Sequence, residues 1–212
     1  MKIALIGFGA LGRYIQTLLL DLPSAGEKAF LYFDDTLHAQ GHPAARPFGD
    51  YAAPAHADHD FYVCLGYKHL ETKRGILSRL FDLGRRVPHY VHPTAYVHPS
   101  VAIGQGSFVY PGCSIDQNTR IGNGVWIANG DVVAHDCEIG DCCWFGASVT
   151  LSGKVSVGAD TFIGSGSTVA NDVRVGASVI VGLASAITRD IADGASVIGN
   201  PMRVLDRKLR LV

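Results

Sequence analysis

No run in the sequence approaches the roughly 18 apolar residues that a membrane span requires. The apolar amino terminus, MKIALIGFGALGRYIQTLLL, also lacks the small-residue cleavage site of a secretory signal. A soluble, cytoplasmic protein that does not engage a membrane is expected. An excess of charge is missing too, since 18 Lys and Arg stand against 19 Asp and Glu, a formal charge of −1. Neither nucleic acid nor an anionic surface then has an electrostatic handle, which leaves small molecules and proteins as partners. The five cysteines, Cys64, Cys113, Cys137, Cys142 and Cys143, are odd in number and contain no CxxC pair. This argues against a disulfide framework and a zinc site and for reduced, buried thiols. Charged residues are only 17% of the chain, which fits an apolar face hidden in an oligomer.

What is present is a period of six. From Val91 onward an aliphatic or Phe residue recurs at every sixth position: Val97, Ile103, Val109, Ile115 and so on through Val133, Ile139 and Phe145 to Ile187. Residues 91–192 make 17 hexads without an insertion. Gly or Ala often follows the aliphatic residue, and the fifth position is small or β-branched, with Cys113, Cys137 and Cys143 among its occupants. Two inward positions in six, separated by a turn, cannot be a helix of period 3.6. They describe short strands wound as a solenoid, three hexads to a triangular coil, each coil stable only against its neighbours. Asp131 is the one charged residue at a fifth position, and the repeat alone does not explain it.

Residues 1–88 are of another kind. A strand, KIALI, runs into GFGALG and a helix opening near Ala10; a second strand, Ala29 to Phe33, ends in Asp34 and Asp35; a third, Phe61 to Leu65, ends at Gly66. A basic helix from about Leu70 to Gly84 follows. Gly7, Gly9 and Gly12 fit G-x-G-x-x-G, where a phosphate can approach a helix amino terminus, and the aspartates stand where a ribose-reading carboxylate would. The pattern is that of a Rossmann-like βαβ subdomain. A nicotinamide-dependent oxidoreductase is the obvious reading of the motif, but 88 residues are about half of a full dinucleotide fold and no substrate domain of the usual kind follows. A tight turn that binds nothing is the plain alternative.

In VVAHDCEIGD, His135 takes the third position of its hexad, which faces outward at a corner. Eighteen residues separate corner neighbours, so His135 lies between Gln117 and Gly153, with Asn171 beyond. Gly153 has no side chain, and an open notch is expected beside the imidazole. Moving an acyl group from a thioester to a hydroxyl or amine needs a base, a role suited to histidine, with Asp136 as the adjacent carboxylate that orients it. A backbone N–H near Gly153 is the candidate oxyanion donor. No metal is expected, because His89, His92 and His98 all lie at the very start of the repeat.

The hexads resemble those of the hexapeptide-repeat acyltransferases, whose fold is a left-handed parallel β-helix. The pairing of a small GxGxxG domain, residues 1–88, with a β-helix domain, residues 89–212, resembles one group more closely, the sugar O-acyltransferases of the sialic acid O-acetyltransferase type. That group includes N-acetyltransferases acting on nucleotide-linked amino sugars. The resemblance runs through IGFGALG, YFDD, CLG, VVAHDCEIGD and IGNPMRVL. It implies a homotrimer that acetylates an amino or hydroxyl group of a nucleotide-linked deoxysugar for surface glycans. It further implies acetyl-CoA as co-substrate and the HDCEIG pair His135 and Asp136 as the catalytic residues. Gly7, Gly9, Gly12, Asp34, Asp35 and Gly66 would bind the nucleotide sugar. Trp144, Gly153, Gly164, Ser165 and Gly182 would bind acetyl-CoA between neighbouring β-helices, with Arg189 or Arg203 at its phosphates. The sequence departs from the group's pattern at Leu11 and Trp144, where histidines are common, and at Ala128, where asparagine is. A non-catalytic trimer that senses a nucleotide sugar is the principal alternative.

Overall fold

The computed structural model describes residues 1–23, 26–207 and 209. The chain divides into two compact units, Met1–Pro88 and His89–Val212.

The first unit is a parallel sheet of four strands in the order β3-β2-β1-β4, namely β1 (Lys2–Ile6), β2 (Ala29–Phe33), β3 (Ala45–Arg46) and β4 (Asp60–Val63). Ile3, Ala4, Leu5 and Ile6 are fully buried, as a central parallel strand covered on both faces requires. Helix α1 (Ala10–Asp21) buries Gly12, Ile15, Leu18 and Leu19, one stripe at helical spacing. Helix α2 (Asp35–Ala39) is a single turn, and α3 (Leu70–Asp82) buries Ile76, Leu77 and Leu80. Past its end, Gly84 at φ +61° takes the left-handed conformation, so α3 ends at Asp82, short of the expected Gly84. The third strand runs over Asp60–Val63 rather than Phe61 to Leu65. The strand Ala45–Arg46 carries no sequence signal, being two residues paired with Tyr32 and Phe33.

The second unit is the left-handed parallel β-helix. Its strands fall on three faces and pair in parallel with the residue 18 positions on, as Val132 with Thr150 and Val133 with Leu151. The first face carries Trp126–Ile127 and Trp144–Phe145, the second Val132–Val133, the third Arg120–Ile121 and Glu138–Ile139. Ile127, Val133, Phe145, Leu151 and Ile163 are at most 1% exposed and stack as one interior column per face. Burying each such side chain contributes about 1.5–3 kcal/mol, and no coil has this without the next. The fourth position of the hexad bends the chain and has positive φ, as at Asn118, Asp136, Lys154 and Asp172. Glycines after the aliphatic residue make room for the adjacent coil; a Cβ at Gly140 would lie 2.6 Å from the Ala159 nitrogen.

The fifth position supplies a second set of interactions. Thr119 Oγ1 donates to the Ala134 carbonyl at 2.9 Å and accepts the Cys137 N–H at 3.3 Å, so a hydroxyl there joins successive coils. The repeat changes at its end. Val175 bridges Ile191, and Val181 pairs with Val197, offsets of 16 rather than 18. The seventeenth hexad is therefore two residues short, and the unbroken run of hexads stops at 186. Asp190 and Asp193 cap the shortened coil by accepting the N–H groups of Arg174 and Ala177.

Candidate active site

His135 lies at the corner after the strand Val132–Val133, and Asp136 is the left-handed residue that turns it, at φ +59°. The turn puts the two side chains together, with His135 Nδ1 2.7 Å from Asp136 Oδ2. A carboxylate only accepts, so Nδ1 carries the hydrogen of this bond, and in the neutral ring the lone pair is then on Nε2. The hydrogen bonds from His135 and Asn118 hold the Asp136 carboxyl below the usual range. Both side chains remain accessible, His135 at 45% and Asp136 at 41%.

Gly153 is the next residue in the corner column, but the expected notch beside it is filled by the imidazole itself. A Cβ at Gly153 would lie 2.6 Å from Nε2 and 2.7 Å from Cε1. The missing side chain makes room for the histidine, not for a thioester. Nor is the Gly153 N–H free to serve as an oxyanion donor, because it donates to Asn171 Oδ1 at 2.9 Å. Sequence reasoning placed Asn171 in this column without seeing that contact.

Cys137 adjoins the pair, and its thiol points inward to the Ser152 carbonyl at 3.2 Å. Burial pushes this thiol up, as it pushes Cys113 to about 11 and Cys64 and Cys143 to about 12. None of these is a thiolate nucleophile near neutrality. Asp131 is fully buried in the hydroxyl's place, accepting the Ala128 N–H through Oδ2 and the Val149 N–H through Oδ1, both at 2.8 Å. It is a link between coils.

The other residues expected to meet acetyl-CoA are not brought to His135 within one chain. Gly164, Ser165 and Gly182 lie at the corner between the first and second faces; His135 and Gly153 lie between the second and third. Trp144 is 9% exposed on the first face, its indole stacked on Trp126 at 4.5 Å and an interplanar angle of 1°. Arg189 and Arg203 are exposed in the last coils. Two hollows open on the third face. One of about 560 Å³ has Asn118, Arg120, Asp136 and Glu138 in its walls; the other, about 630 Å³, includes neither His135 nor Gly153. Among the described residues no cluster of three or more His, Cys, Asp or Glu could hold a metal ion. No helix among them is long and apolar enough to cross a membrane.

In the first unit the glycine loop and the end of β4 converge. Gly7 has φ +85°, and a Cβ on it would stand 3.2 Å from Leu65 Cδ2. Gly12 lies so close that a Cβ would be 2.5 Å from the Gly7 carbonyl oxygen. Gly9 and Gly66 have open space where a side chain would be, Gly9 at the amino terminus of α1. Asp34 fastens this loop to α2, accepting the Phe8 N–H at 2.8 Å through Oδ2 and the Leu37 N–H at 2.9 Å through Oδ1. Asp35 accepts the Phe48 N–H at 2.8 Å. Both aspartates thus hold backbone, a role their spacing alone did not disclose.

No protein-family model matches the chain, and no curated protein matches it in sequence. Solved structures do. The acetyltransferase domain of PglB from Neisseria gonorrhoeae is 29% identical, with a TM-score of 0.81 over 96% of this chain and 99% of that one. A histidine-to-asparagine variant of perosamine N-acetyltransferase from Caulobacter crescentus, in complex with CoA and GDP-perosamine, is 28% identical, with a TM-score of 0.87 over 98% of each chain. WeeI from Acinetobacter baumannii, 22% identical over 97% of this chain and 100% of that one, shares the fold with a TM-score of 0.78. Along its whole length the chain is thus similar to sugar N-acetyltransferases built on hexapeptide repeats.

Proposed function

We propose that the protein transfers the acetyl group of acetyl-CoA to an amine of a nucleotide-linked sugar destined for a surface glycan, with His135 as general base. The observation that carries this is the His135–Asp136 pair, which engages Nδ1 and leaves Nε2 as the ring nitrogen that can take a proton, on a side chain accessible at a corner of the coil. The solved relatives supply the class of reaction and favour nitrogen over oxygen as the acylated atom. Nε2 takes the proton from the attacking nitrogen as the C–N bond forms, and Asp136 stabilises the resulting imidazolium. The tetrahedral intermediate collapses with cleavage of the C–S bond, and the proton on Nε2 leaves with the CoA sulfur. The five cysteines are all buried, so the acetyl group passes directly to the sugar with no acyl-cysteine between.

Gly7, Gly9, Gly12 and Gly66 would surround the nucleotide, with Gly9 and the α1 amino terminus facing a phosphate. Asp34 and Asp35 shape that loop. Gly164, Ser165 and Gly182 would receive acetyl-CoA at a corner of one copy facing His135 and Gly153 of the next, in a homotrimer. Their placement on different corners of one chain supports a site completed by assembly. Acetyl-CoA and reduced thiols both fit the cytoplasm.

The test compares His135→Ala with the unsubstituted protein for release of free CoA thiol in the presence of nucleotide-linked amino sugars. The variant should keep its fold and assembly while losing most turnover; undiminished kcat would remove His135 from the reaction.

A further inference from the structure

We infer that Asn118 is a positioning residue, which holds Asp136 in the orientation that fixes the His135 ring. Asn118 stands 18 residues before Asp136, so the two occupy the same corner position in successive coils, with φ of 60° and 59°. The Asn118 Nδ2 group donates to Asp136 Oδ1 at 3.1 Å while the other oxygen, Oδ2, faces His135 Nδ1 at 2.7 Å. Each carboxylate oxygen thus has its own side-chain partner, and the plane of the group is set by two contacts. Asn118 is itself anchored, its N–H donating to Ser100 Oγ at 2.8 Å, and that hydroxyl lies 2.8 Å from His98 Nδ1.

This restraint has a competitor. The hollow of about 560 Å³ beside Asn118 and Asp136 is also walled by Arg120 and Glu138, and Lys154 is a further charge near the carboxylate. A carboxylate freed on that side could turn toward water or the guanidinium and away from the imidazole. His135 would then exchange between tautomers, and only the one protonated at Nδ1 leaves Nε2 able to accept a proton. Asparagine suits the position because it tolerates the left-handed region and donates without adding charge.

The inference rests on His135 being the base, and its test uses the full-length protein with Asn118→Ala and Asn118→Asp. Both residue types are accommodated at this turn position elsewhere in the chain, Ala184 at φ 51° and Asp172 at φ 61°. The ¹⁵N shifts of the His135 ring, identified by their loss in His135→Gln, should report a single Nδ1–H tautomer in the native protein and a mixture in both variants. In both, kcat should fall about tenfold, with KM for acetyl-CoA unchanged. That loss should vanish when Asp136→Asn is already present. A single tautomer with kcat within about twofold of native, or an equal loss in the Asp136→Asn background, would overturn the role of Asn118. Full turnover by His135→Ala would instead remove the base, leaving the tautomer measurement to judge Asn118 alone.

Discussion

At the scale of single residues, Gly153 and Asp131 have functions that their chemical types conceal. Gly153 is buried and not in the left-handed region, so its backbone would accept alanine. The added Cβ would collide with the His135 ring. Gly153→Ala should therefore lower kcat by about tenfold or more while shifting Tm little, as steady-state kinetics beside a melting curve would show. Asp131 acts on stability. Burial raises its carboxyl to about 8, outweighing the two N–H donors that lower it. A raised folded-state pKa means that the contribution is complete below the ordinary carboxylate range and lost as pH rises through about 8. The Tm of the native protein should fall between about pH 5 and pH 9, and Asp131→Thr should flatten that fall. Thermal melts across the range check it, and an unchanged slope in the variant would exclude Asp131 as the cause. The hexad register placed His135 outward and Cys137 inward from the sequence alone. It could not show that Gly153 accommodates the imidazole or that Asn171 occupies its N–H, because both depend on side-chain directions across coils.

Among the elements, the coil is the unit whose character was most legible. A period of six with two inward positions admits few other folds, and the pairing at an offset of 18 follows from three hexads to a coil. The shortened seventeenth hexad was not legible, because Ile187 still falls on the period while the next inward residue is Ile191 and not Asp193. A two-residue deletion at a turn changes no residue type that periodicity counts. The same logic hid the strand Ala45–Arg46, defined by its neighbour and not by its own composition. Because coils share one interior, damage should spread along the stack. Phe145 is fully buried, and Phe145→Ala should cost about 3–5 kcal/mol. Denaturant unfolding should show this as a lower midpoint, and a loss under about 1 kcal/mol would mean that neighbouring coils close the cavity.

For the whole molecule, the residues proposed to receive acetyl-CoA lie on one corner and His135 on another, so under the proposed function a single chain would hold two halves of different sites. A complementation experiment separates this from a site within one chain. His135→Ala and Ser165→Trp should each be nearly inactive alone, and co-expression should restore turnover through mixed assemblies in which one interface of the proposed trimer keeps both native corners. Failure to restore it, with mixed assembly verified by mass, would remove the corner of Gly164, Ser165 and Gly182 from the site that contains His135. In the first unit the pattern GFGALG with its two aspartates did not disclose that Asp34 and Asp35 hold backbone N–H groups, because those contacts depend on how the loop after β2 folds. The most direct measurement is mass spectrometry of a panel of nucleotide-linked amino sugars incubated with acetyl-CoA and the protein. One member should gain a single acetyl group, lost again with His135→Ala; no acetylated product and no CoA release across the panel would contradict the proposed reaction.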